Sequence, residues 1–231
     1  QSARPFAKAK SGRNHNPEFS MLEWYQPGYD YHELIQEVDQ LLQATLNTTP
    51  AEIIRYQALF QQHLNIDPFD ISCKQLHQLL KHHDILNDHD DIDKDTSLQL
   101  LLTHLIEPSL ATERPLFIID FPASQAALAK IDPTKPQTAE RFEAYYKGLE
   151  LANGWTELTD ANEQLQRFQQ DQQQRKQQHR HIPDIDHYFI DALRKGLPAC
   201  AGVAIGIDRL YMLSNKLNNI QETISFYWDI I

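Results

Sequence analysis

Two carboxylates, Glu150 and Glu157, stand seven residues apart in GLELANGWTELTD, Gly148 to Asp160. Successive strand side chains point to opposite faces, so this odd spacing would separate them in a regular strand. A bulge at Asn153 and Gly154 would reverse the parity and bring both acids to one face. Two acids so placed suit a magnesium ion, which takes few protein ligands and leaves the rest to substrate phosphates. They suit a cationic substrate equally well. A second group is AGVAIGIDRLYML, Ala201 to Leu213. Gly202 and Gly206 bare one side of a strand, so an aromatic base could lie flat on the backbone. Arg209 could cap that stack and neutralise phosphate charge. The glycine spacing is not that of a Rossmann fingerprint. A third group, GRNHNPEFSMLEWY from Gly12 to Tyr25, sets Asn, His and Glu beside a strand, where they could hydrogen-bond a heterocycle or a sugar. Glu18, Glu23 and Tyr25 differ in parity, so a regular strand cannot aim all three at one site. Taken singly, each group also reads as ordinary structure: a solvated strand face, a core strand with a surface arginine, a turn before an edge strand.

The elements that must position these residues follow from the apolar pattern. FSMLEWY from Phe19 reads as a strand ended by Pro27 and Gly28. The spacing of Leu34, Ile35, Val38, Leu41, Leu42 and Leu46 predicts a helix from Tyr31 to about Asn47. Residues 48 to 114 read as several short helices. Within them the acidic run DHDDIDKD from Asp88 lacks the glycine and final Glu of a calcium loop and reads as a linker with an N-cap. His82, His83 and His89 form no four-ligand set and read as surface residues. LFIIDFPAS, Leu116 to Ser124, is a buried strand. RFEAYYKGLEL and WTEL are two strands divided at Asn153 and Gly154, and polar and amphipathic helices follow at about 160 to 178 and from Ile185 to Lys195. AGVAIGI is a last strand before a helix near Asp208. Without repeats or a second compositional block, residues 1–231 read as one domain with a helical insertion at about 48–114.

Composition bounds the function. Of 231 residues 41% are hydrophobic and 23% charged, which excludes a disordered tail or a fibre. Apolar runs such as Leu116 to Ile119 fall far short of the roughly 20 residues that span a bilayer. Lys and Arg number 21 against 32 Asp and Glu, a formal charge of -11. Phosphate contacts call for a basic excess, so extended nucleic-acid binding is not expected. Cys73 and Cys200 form no metal-type pair and read as inert thiols of a reducing cytoplasm. The first residues carry no apolar signal-peptide core.

In this order, GRNHNPEFSMLEWY, ELANGWTEL and GVAIGIDRL resemble the catalytic domain of class II aminoacyl-tRNA synthetases of the lysine branch. Within it the chain is more similar to the elongation factor P beta-lysine ligases, lysyl-tRNA synthetase paralogues without an anticodon-binding domain. FPASQAALAKI, AERFEAYYKGLELANGWTELTDANEQLQRFQQD and LPACAGVAIGIDRL extend the likeness over nearly the whole chain. The resemblance implies an α+β fold, an antiparallel sheet flanked by helices, with ATP and Mg2+ as cofactors. It implies lysine or beta-lysine activated as an adenylate, and a lysine of elongation factor P as acceptor. By matching positions it assigns Asn16 to the adenine-side loop, Glu150 and Leu151 to ATP and magnesium, and Gly206 and Arg209 to adenine and the gamma-phosphate. Tyr25, Asn153 and Glu157 match contacts to the amino-acid substrate.

Two departures accompany it. The family places F-R-N-E ahead of G-R-x-H-N-P-E-F, whereas this chain has Phe6, Ala7, Lys8 and Ala9, so the arginine that grips the alpha-phosphate is Ala7. Losing one preorganised charge at a developing transition state costs about a hundred-fold in rate. The chain also begins inside the second motif. The expectation is therefore a domain cut short at its N-terminus, without the first motif and its homodimer contacts. Besides the ligase, a non-catalytic ATP-binding protein and a lysyl-tRNA synthetase core remain as readings.

Overall fold

The computed structural model describes residues 1–3, 12–87 and 92–225. A seven-stranded sheet runs β1 (Ser2–Ala3), β2 (Met21–Pro27), β7 (Cys200–Gly206), β6 (Leu149–Thr156), β5 (Thr138–Tyr146), β4 (Leu116–Pro122) and β3 (Glu52–Arg55) from edge to edge. Neighbours pair antiparallel except β3 and β4, which are parallel. The sheet is thus predominantly antiparallel, as the resemblance implies, with one parallel pair at its β3 edge. Parallel neighbours need a long crossover, and the helices between 56 and 110 supply it. What reads in sequence as an insertion is the connection from β3 to β4.

One face of the sheet is covered by α1 (Tyr31–Leu46). Asp30 caps it, accepting from the main-chain N–H of His32 and Glu33, while Glu33 returns a bond to Asp30 N–H. Leu34, Ile35, Val38 and Leu42 form its buried stripe and pack on Phe117, Phe142, Val203 and Ile205. Tyr31 ties the helix start to the strands: its N–H donates to Thr156 Oγ1, and its hydroxyl donates to buried Asp120 at 2.6 Å. Asp120 adopts φ 59° where the β4–β5 register shifts.

The opposite face is covered only in part. The crossover helices α2 (Tyr56–Leu64), α3 (Cys73–His82) and α4 (Lys94–Leu101) bury Tyr56, Phe60, Leu76, Leu80, Leu98 and Leu101 against Ile118, Phe121 and Tyr145. Ser72 and Asp93 cap α3 and α4; residues 88–91 of the acidic run, His89 included, lie outside the described residues, and His82 and His83 are exposed. A π-helical turn, Leu102–Ile106, and a 3-10 turn, Glu107–Leu110, then lead to β4. Of the remaining helices, α7 (Ile207–Ser214) packs beside α1 through Leu210 and Leu213, while α5 (Ala161–Gln177) and α6 (His187–Lys195) pack on each other and the end of α5 bonds Asp93, the cap of α4. Among the described residues no helix is long and apolar enough to cross a membrane.

The β5–β6 hairpin differs from its sequence reading. It turns at Lys147 and Gly148, with φ of 50° and 76°, while Asn153 and Gly154 lie inside β6. The reason is packing. A Cβ on Gly154 would stand 2.5 Å from Phe142 Cζ and 2.9 Å from the Gly202 carbonyl oxygen, so this glycine admits an aromatic ring and serves no turn.

Candidate active site

Cross-strand neighbours share a sheet face, and the register sets two rows of side chains on the face away from α1. One row runs Tyr25, Gly202, Trp155, Arg141, and the next runs Glu23, Ala204, Asn153, Glu143. Beyond them the pairing changes: Ala144 opposes Ala152, but Tyr145 opposes Glu150. One step on β5 thus meets two on β6, and the bulge turns Glu150 onto the face of Asn153 and Glu157. The parity argument from the sequence needs one bulge between the two acids. It is there, at Glu150 and Leu151 and not at Asn153 and Gly154.

Arg209, in the first turn of α7, secures this bulge. Its Nη1 donates to the Glu150 main-chain oxygen at 2.7 Å and lies 3.9 Å from the Glu150 carboxylate. Nη2 lies 2.9 Å from His15 Nε2, and Nε donates to the Asn14 carbonyl. A guanidinium has no acceptor, so His15 Nε2 receives this bond as the unprotonated nitrogen. Burial first, and Arg209 second, hold the His15 pKa below the usual value.

A cavity of about 410 Å³ opens over these groups, and Asn16, Glu150, Leu151, Asn153, Gly206 and Arg209 all line it. Asn16 is buried. Leu151 packs its side chain into the core, leaving its backbone to the cavity. A Cβ on Gly206 would make only ordinary contacts, 3.9 Å to Arg209 Cδ and 4.0 Å to the Leu151 oxygen, so packing does not demand this glycine.

Tyr25 and Glu157 stand together elsewhere on the same face. A Cβ on Gly202 would lie 2.7 Å from Glu157 Oε1 and 2.8 Å from the Tyr25 ring, so both converge over that bare backbone. Tyr25 is 63% exposed and Glu157 only 9%. Burial pushes the Glu157 pKa up to about 7, against a smaller opposing effect of Trp155. A buried acid of this kind gains from an amine partner.

A single magnesium ion cannot join Glu150 to Glu157. Seven residues of strand span about 20 Å, whereas the ion holds its oxygens at about 2.1 Å. The acid that acts on Glu150 is Glu143, across the hairpin: burial, then the Glu143 charge, raise the Glu150 pKa to about 7, with Arg209 and Arg141 opposing. Among the described residues no three His, Cys, Asp or Glu side chains form a metal-holding group. One or two carboxylates facing a cavity beside the Arg209 guanidinium fit an ion that draws its other ligands from a substrate. Glu143, Arg141 and Trp155 escape a motif-based reading. A signal exists for the first two, since RFEAYY alternates Arg141, Glu143 and Tyr145 with apolar Phe142 and Ala144. Ala7 and Ala9, with Arg4 and Lys8 beside them, lie outside the described residues.

An antiparallel core with a kinked hairpin, a bare terminal strand and an arginine at the start of the following helix is the arrangement of a class II synthetase catalytic domain. The chain belongs to that family: the model for class II tRNA synthetases (D, K and N) matches residues 1–228. It is 51% identical to the elongation factor P–(R)-beta-lysine ligase of Salmonella gallinarum (strain 287/91 / NCTC 13346), over 99% of this chain and 71% of that protein. Against the ligase of the same name from Salmonella arizonae the identity is 50% over the same shares.

Proposed function

We propose that this chain is an ATP-dependent ligase that activates lysine or (R)-beta-lysine as an adenylate and passes it to a lysine of elongation factor P. The observation that carries the reading is the convergence of Asn16, Glu150, Gly206 and Arg209 on one cavity, in a chain half identical to ligases of that name. The substrate carboxylate would attack the alpha-phosphate of ATP and expel pyrophosphate. The acceptor amine would then attack the acyl carbon and release AMP. Such transfers depend chiefly on positioning and charge stabilisation. Arg209, already oriented by the Glu150 carbonyl and His15, would meet the phosphates. Glu157 and Tyr25 would hold the substrate's amino group, with Asn153 between the two ends. Glu150 with Glu143 would hold magnesium, which when bound neutralises phosphate charge. A translation-factor substrate would place the enzyme in the cytoplasm.

A second reading is favoured by Ala7 standing where the family has its alpha-phosphate arginine: a protein that binds ATP without turning it over. Pyrophosphate exchange with lysine and with (R)-beta-lysine, alongside calorimetric titration of Mg-ATP, separates the two. Amino-acid-dependent exchange, with a mass gain of one lysyl residue on elongation factor P, is expected for the ligase. ATP binding without exchange leaves the second reading, and no ATP binding removes both.

A further inference from the structure

The crossover reaches the active face at Glu107, in the 3-10 turn that follows its helices. The π-helical turn Leu102–Ile106 interrupts the regular helix just before it, and such turns recur where a side chain must be re-aimed at a functional site. Glu107 Oε1 lies 3.2 Å from the Tyr145 hydroxyl, which donates to Glu143 Oε2 at 2.8 Å. The other Glu143 oxygen accepts from Arg141 Nη2 at 2.6 Å, and Arg141 Nε donates to Asn153 Oδ1 at 3.2 Å. An unbroken chain of contacts therefore joins the crossover to a wall of the cavity. The Glu107 main-chain oxygen also lies beside the turn of the same hairpin: a Cβ added to Gly148 would stand 3.4 Å from it.

We infer that Glu107 is a positioning residue, which through the Tyr145 hydroxyl holds Glu143 and hence Arg141 and Asn153 in place for the phosphate end of a bound nucleotide. The inference rests on the proposed function only in taking the cavity as an ATP site. Tyr145 has one hydroxyl hydrogen, and the shorter contact gives it to Glu143. Burial raises the Glu107 carboxyl's pKa, with the Tyr145 hydroxyl opposing, and Thr103 Oγ1 also lies 3.5 Å from Glu107 Oε1. Glutamine, neutral and able to donate through its amide, is the closest replacement.

Calorimetric titration of the whole chain with Mg-ATP and with adenosine tests this. Glu107→Ala should weaken Mg-ATP binding about tenfold, the scale of one lost hydrogen bond to a charged network, and leave adenosine affinity unchanged. Glu107→Gln should restore Mg-ATP binding to within about twofold. Equal loss for both ligands, or no restoration by glutamine, would mean that Glu107 merely supports the fold. Unchanged Mg-ATP binding in Glu107→Ala would also overturn the inference. If the unaltered chain binds no ATP, the proposed function fails, and amide hydrogen exchange of the ligand-free chain decides the positioning role. Faster exchange confined to residues 143–153 in Glu107→Ala, reversed in Glu107→Gln, sustains it, and unaltered exchange removes it.

Discussion

The face of the sheet turned away from α1 is one surface with two halves. Under the crossover helices it presents Ile54, Ile118 and Phe121; from β5 onward it presents Arg141, Glu143, Asn153, Glu157 and the bare backbone of Gly202 and Gly206. Strand geometry is the same in both, and period-two alternation says only which residues share a face. Whether that face is a core or a site depends on what the connections lay over it. The long connection from β3 to β4 covers one half, while the short hairpin and the β7–α7 junction leave the other open. Tyr145 stands on the border, its ring in the covered cluster and its hydroxyl in the polar network.

If the halves differ as described, substitutions should divide cleanly between stability and binding. The largest effect is expected in the covered half: Phe60→Ala, at a fully buried ring, should cost about 3–5 kcal/mol in urea unfolding. A loss below about 1 kcal/mol would mean that the crossover is not packed as a core. Next, Arg209→Ala in the open half should weaken Mg-ATP binding about a hundred-fold in calorimetry while changing unfolding stability by no more than about 1 kcal/mol. A variant that instead unfolds, with ATP affinity kept, would erase the distinction between the halves.

The smallest effect is a pH dependence. Burial raises the Glu157 pKa to about 7 from its ordinary value of 4.5, so between those values the folded chain holds more protons than the unfolded one. Stability from this group therefore falls as pH rises through that window and is level above it. Such a shift would be worth about 3 kcal/mol in a sealed site, and water at the open face reduces it to about 1–2 kcal/mol. Glu157→Gln should stabilise the protein by that amount near about pH 8 and by nothing near about pH 4. Denaturation series at both pH values check this, and a loss of stability at the higher one would show Glu157 already satisfied by an internal partner.

Much of the frame was legible in the sequence. The 3.6-residue spacing of α1, the capping aspartates and the apolar run of β4 each have a local cause that the chain displays. The hairpin was misplaced because Asn-Gly is the strongest short hairpin signal, whereas Gly154 answers to a ring from the neighbouring strand, a cause absent from local sequence. Strand β3 escaped notice because four residues between helices acquire their role only by pairing with a strand some sixty residues later. At the site, Asn16, Glu150, Leu151, Asn153, Gly206 and Arg209 among the motif positions line the cavity, while Tyr25 and Glu157 stand outside it. Pairing Glu150 with Glu143 required the register, since the two acids meet across a hairpin.

The bond from Arg209 to the bulge carbonyl has a further consequence. A free arginine side chain gives up about 2 kcal/mol of rotamer entropy when it is fixed, and here that ordering is already complete before any ligand arrives. A nucleotide entering the cavity would meet a guanidinium that is oriented from the start. Its binding entropy should accordingly contain little from that side chain.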